Sequence, residues 1–173
     1  MKQLQQGNSL LGLILTLALL GAGAWILLNS QVIYDTIKAT QFEPSSQIKH
    51  LAQATTMNDN ARRTFYATEP KIDASSDFKQ LCNRQQDSGA ILGCYVNDNI
   101  YIYNVNNAEL DGIEEVTAAH EMLHAAYWRL SASERREVNN LVKKQAKQLE
   151  DNPDLARRMQ VYDGVDAATR LDE

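Results

Sequence analysis

The chain has 173 residues, 44% of them hydrophobic and 23% charged, and carries a formal net charge of −5. That length allows one globular domain with a segment to spare. The acidic balance argues against nucleic acid as a partner, because such binding needs a basic face that neutralises phosphates.

The spare segment comes first. From Leu10 to Leu28 the chain reads LLGLILTLALLGAGAWILL, and no charged residue lies between Lys2 and Asp35. A helix of about 20 such residues spans the roughly 30 Å hydrocarbon core of a bilayer, with its backbone polar groups satisfied internally. A cleaved signal peptide is the alternative, with Ala22-Gly23-Ala24 as the cleavage site. The apolar run continues through Trp25-Ile26-Leu27-Leu28, beyond the about 7–15 residues usual for a signal peptide, and Trp25 suits an interfacial anchor. Residues 1–34 are therefore read as a retained single-pass anchor in the cell membrane and residues 35–173 as the soluble part. All but one of the 17 basic side chains, and all 22 acidic ones, lie after the span, so a polybasic grip on anionic lipid is not expected.

Asn29 to Pro44 reads as a stalk or as a helical continuation of the span. Ser45-Ser46 opens a helix through Met57, in which His50 is expected to be a solvated surface residue. A second short helix covers Asp59 to Tyr66, with Phe65 and Tyr66 as core, and stops before Pro70. The chain has two cysteines, Cys82 and Cys94, a short loop apart. In an oxidising compartment they can form a disulfide; otherwise they are small buried residues. The disulfide reading places the soluble part outside the cytoplasm. AILGCYV, a polar Asn97-Asp98-Asn99 and IYIYNV predict a β-hairpin, with Ile100 and Ile102 on the packed face.

From Asp111 onward helices are expected. "DGIE" (Asp111, Glu114) has the pattern of a capping box opening a helix to Leu130, and "SASE" (Ser131, Glu134) opens the next, to about Glu150. Pro153 suits the first turn of a third helix through Tyr162, and "DGVD" (Asp163, Asp166) starts a fourth. The sequence stops partway through that amphipathic stretch (Val165, Ala168, Leu171) and so reads as a fragment.

The chemistry is concentrated in VTAAHEMLHAAYWRL, Val116 to Leu130. Residues i and i+4 of a helix share one face, so His120 and His124 can aim imidazole nitrogens at one zinc ion. Glu121 can reach a water on that ion without binding it. Zinc lowers the pKa of the water, and the carboxylate takes its proton to make a nucleophile, then delivers it to a leaving amine. The neighbours Thr117, Ala118, Ala119, Ala125 and Ala126 are small and uncharged, as a buried active-site helix requires. The bland alternative is a helix whose histidines satisfy internal hydrogen bonds.

VTAAHEMLHAA resembles the zincin metallopeptidases, over a short part of the chain. The wider arrangement of anchor, "LGCY", hairpin and "EVTAAHEMLHAAY" looks like membrane-anchored bacterial proteins of this type. The resemblance implies His120 and His124 as zinc ligands, Glu121 as catalytic base, and an edge strand from the 90–105 hairpin that aligns a peptide substrate. Tyr127 and Leu130 stand where metzincins have their glycine and third histidine, which excludes that subgroup. Gluzincins take a glutamate from a later helix, and Glu173, about fifty residues beyond His124, is the residue compatible with that role. There, the asparagine commonly preceding the ligand is replaced by Asp172. Asp163 and Asp166 stay as alternatives, although the aspzincin pattern is absent. Glu134 and Glu137 read as an exposed charged face, and Tyr127 and Tyr162 receive no role.

The expected fold is α+β and mainly helical: an N-terminal transmembrane helix, then a zincin-like domain over 35–173 with a small sheet before the active-site helix and further helices after it. The expected function is that of a membrane-anchored zinc metallopeptidase acting on peptides or proteins. Its rival is a membrane-tethered, non-catalytic zinc-binding or scaffold protein with a degenerate site.

Overall fold

The computed structural model describes residues 3–73, 75–82 and 91–159. The chain opens with helix α1 (Gln3–Leu28), and its stretch Leu10–Leu28 is long and apolar enough to cross a membrane, with none of it buried against the protein. Helix α2 (Ser30–Gln41) follows after Asn29 alone. Asn29 interrupts the helix, at φ −110° and ψ 13°: its N donates to Trp25 O and closes α1, and its O accepts from Ile33 N and opens α2, each at 3.0 Å. Of the two expectations for this segment, the helical one is observed over Ser30–Gln41, as a helix separate from the span. It is not a solvated stalk, since it packs along α4 (Asp59–Ala67) and buries Asp35.

Local chemistry sets the next boundaries. Ser45 caps α3 (Ser46–Ala54) by accepting from Ile48 N at 3.3 Å, and Asn58 caps α4 by accepting from Ala61 N at 2.9 Å. Helix α3 ends three residues short of Met57, which instead turns into the core at 5% exposure. Two elements had no expectation: strand β1 (Lys71–Asp73) and the short helix α5 (Ser76–Leu81). A three-residue strand carries too little alternation to be read without its partner.

The hairpin is present as β2 (Gly93–Val96) and β3 (Asn99–Tyr103). Its turn is tighter than expected, because Asn99 already pairs with Val96. Only Asn97 and Asp98 make the reversal, with φ of 50° and 61°; Asn and Asp tolerate this left-handed region, which two-residue hairpins use. Strand β3 lies between its partners in the order β1-β3-β2, parallel to β1 and antiparallel to β2.

Side-chain alternation along β3 builds two layers. Ile100 and Ile102 are fully buried against Leu51 of α3, Phe65 of α4 and Ala118 and Ala125 of α6 (Ile113–Arg129). Each such large side chain contributes about 1.5–3 kcal/mol by burial. Tyr101 and Tyr103 face the other way, over Phe78 and a disulfide between Cys82 and Cys94 that ties the chain before the hairpin to β2.

The start of α6 differs from expectation. Gly112, at φ 85°, precedes the helix with no side-chain cap, so Asp111 and Glu114 do not form a capping box. Glu114 accepts instead from Val105 N at 2.7 Å, tying the helix to the loop that leaves β3. The box at Ser131 and Glu134 does form and opens α7 (Ala132–Gln148), and Pro153 begins α8 (Pro153–Met159). The molecule is thus mainly helical around one small mixed sheet.

Candidate active site

Helix α6 is sorted by its faces. Thr117, Ala118, Glu121 and Ala125 are buried toward the sheet, whereas Val116, His120 and Leu123 are exposed. The one-turn spacing of the two histidines brings their Nε2 atoms to 3.0 Å from each other, with the rings nearly perpendicular. A tetrahedral zinc with Zn–N bonds of about 2.0–2.1 Å separates two ligand nitrogens by about 3.3–3.4 Å. Opening the observed pair by a few tenths of an ångström, a small side-chain rotation, therefore fits the ion, for which imidazole nitrogen is a suitable donor.

Glu121, the residue after His120, is only 5% exposed. It is covered by β2. A Cβ placed on Gly93 would stand 2.4 Å from Thr117 Cγ2 and 3.1 Å from both Glu121 Cγ and Oε1. Glycine at the head of β2 is what lets the strand pass this close to the helix. Within "LGCY" an isolated glycine in a strand pattern was the available signal for such an approach.

A second group of side chains holds these pieces in register. Arg129, the last residue of α6, donates from Nε and Nη2 to the two carboxylate oxygens of Asp35 on α2, at 2.8 and 3.0 Å. Its Nη2 also reaches Asp98 Oδ1 at 2.9 Å in the hairpin turn, and Nη1 reaches Tyr95 OH at 3.2 Å on β2. Tyr95 OH donates to Asp98 at 2.9 Å, and Gln31 Nε2 donates to Asp35 at 3.0 Å. Burial alone would lower the pKa of the guanidinium, but Asp35 and then Asp98 outweigh it and hold the value above the usual arginine range. Burial first, and the bond to Asp98 second, raise the Tyr95 hydroxyl. The sequence gives no signal for this group, because the bonds of Arg129 to Asp35, Tyr95 and Asp98 span 31 to 94 residues.

His50 is a surface residue, 3.4 Å from Glu115 across to α6. Tyr127 donates to Asn139 at 2.9 Å, and Glu134 serves its cap, where Ser131 holds the carboxyl below the usual range. Tyr162, Asp163, Asp166 and Glu173 lie outside the described residues. Among the described residues no group of three or more His, Cys, Asp or Glu side chains is placed to hold a metal. Compared with known proteins, the chain matches no family model, no curated protein and no solved structure.

Proposed function

We propose that the protein is a membrane-anchored zinc metallopeptidase. The observation that carries this reading is the convergence of His120 and His124 at 3.0 Å on a helix where Glu121, next to His120 in the chain, is buried against β2. In this reading His120 and His124 hold zinc with Glu173 as third ligand, and Asp163 or Asp166 would take that place in an aspartate-type site. A bound zinc ion supplies Lewis acidity and a water that ionises near neutral pH.

The chain's own groups do the rest. Glu121, shielded from bulk solvent by β2, accepts a proton from the attacking water and returns it to the leaving amine. Among the described residues β2 is an edge strand, and it passes directly over the flank of α6. An extended peptide added to such an edge would be aligned by main-chain hydrogen bonds. The apolar helix α1 supplies the anchor, and the Cys82–Cys94 disulfide supports a soluble part on the extracytoplasmic side, where disulfides persist.

Zinc content and hydrolysis of an unfolded protein such as denatured casein, measured together on the full chain, test this reading. Glu121→Gln should keep zinc and lose hydrolysis by a factor of about 10² or more, while His120→Ala and Glu173→Ala should lose zinc. A wild-type chain that binds zinc without hydrolysing any peptide, or a Glu121→Gln variant that hydrolyses normally, would favour the non-catalytic scaffold instead.

A further inference from the structure

The route from the apolar span to the histidine pair is short, because Asn29 alone separates α1 from α2. Asn29 N closes α1 on Trp25 O, to which its Nδ2 also donates at 2.8 Å, and its carbonyl accepts from Ile33 N to open α2. Helix α2 is then fastened to the domain along its length. Asp35, with its side chain 5% exposed, takes both arms of Arg129; Lys38 pairs with Glu69 at 3.1 Å; and Phe42 sits against Tyr66 with ring centroids 6.1 Å apart. A Gly/Ser-rich tether would let a domain wander over tens of ångströms. Here a swing of α2 away from the domain would uncover a buried, fork-to-carboxylate ion pair.

The path length bounds how far the site can stand from the membrane. Leu28, the last residue of the apolar span, to Asp35 is about 10 Å along a helix, and Arg129 back to His124 is about 8 Å, at about 1.5 Å per residue. Adding one extended ion pair keeps the histidines within about 30 Å of the end of the span, and any tilt of α2 shortens this. We infer that α2 is a rigid spacer holding the His120–His124 site against the membrane surface. The substrates would then be unfolded segments of membrane-attached proteins lying within that reach of the bilayer. This inference rests on the hydrolytic reading of the site and on α1 spanning the membrane.

The test uses the full chain in phosphatidylcholine vesicles with two single-pass reporters that carry the same casein-derived segment. In one the segment directly follows the span. In the other a helical spacer of about forty residues, roughly 60 Å, lifts it away. The wild type should cleave the near reporter at least about tenfold faster than the far one. Inserting a long Gly/Ser linker at Asn29 should bring the two rates together. Equal cleavage of both reporters by the wild type overturns the spacer while leaving the peptidase reading in place. Cleavage of neither reporter, nor of denatured casein in solution, overturns the peptidase reading and the substrate class with it. Should the linker variant fail to fold, the wild-type near-to-far ratio still decides.

Discussion

Asp35 and Arg129 are 94 residues apart in sequence and meet through two hydrogen bonds of 2.8 and 3.0 Å. One stands on the helix that follows the apolar span, the other at the end of the helix that carries the two histidines. Their side chains are only 5% and 10% exposed, so the pair is worth more intact than broken.

Removing the two partners should not cost the same. Arg129→Met leaves Asp35 and Asp98 facing each other without a cation and should cost about 3–5 kcal/mol. Asp35→Asn leaves Arg129 paired with Asp98 and should cost less. The double variant Asp35→Leu with Arg129→Met should recover much of the loss, because an apolar pair needs no mutual charge compensation. Urea unfolding of the full chain in detergent micelles, followed by near-ultraviolet circular dichroism, gives the comparison. Equal losses for the two single variants would refute the asymmetry.

Gly93→Ala should destabilise the chain by about 1–3 kcal/mol, since the added methyl would meet Thr117 Cγ2 at 2.4 Å. Thr117→Ala removes that carbon, so the double variant should regain part of the loss. A double-mutant cycle with no coupling would show that β2 does not bear on α6 there.

Alkaline pH should weaken the fold through Tyr95. Its hydroxyl is raised above its ordinary value of 10.0, mainly by burial and then by Asp98. The folded state therefore holds this proton more tightly than the unfolded chain. The stabilisation is complete below about pH 10 and is lost as the pH rises through the folded-state value. Thermal unfolding of the wild type should fall more steeply above pH 10 than that of Tyr95→Phe; parallel curves would contradict the assignment.

Zinc should stabilise the chain by mass action. At a free concentration about 100 times the dissociation constant, the gain is about 2.7 kcal/mol, visible as a rise in melting temperature. His120→Ala and His124→Ala should each abolish most of this rise, and Glu121→Gln should retain it. A rise that survives loss of either histidine would place the metal elsewhere.

What was legible in the sequence is what depends on near neighbours. The unbroken apolar run of α1, the cap at Ser131, the 2-residue alternation of Ile100 and Ile102, and the 4-residue spacing of His120 and His124 are all local periodicities. Each is imposed by the geometry of a single helix or strand. Even here a local pattern misled: "DGIE" matches a capping box, but the left-handed Gly112 starts the helix and Glu114 is drawn to Val105.

The sequence by itself thus determined the long apolar helix, the hairpin, most of the described helices, and that the two histidines share a helix face. Only the tertiary structure decided that β2 lies across Glu121, that three-residue β1 finds a partner in β3, and that α2 is locked to α6 through Asp35 and Arg129. The physical reason is one of range. Periodicity records what a residue does to its own helix or strand, whereas burial and charge pairing between distant segments are chosen only when the whole core closes.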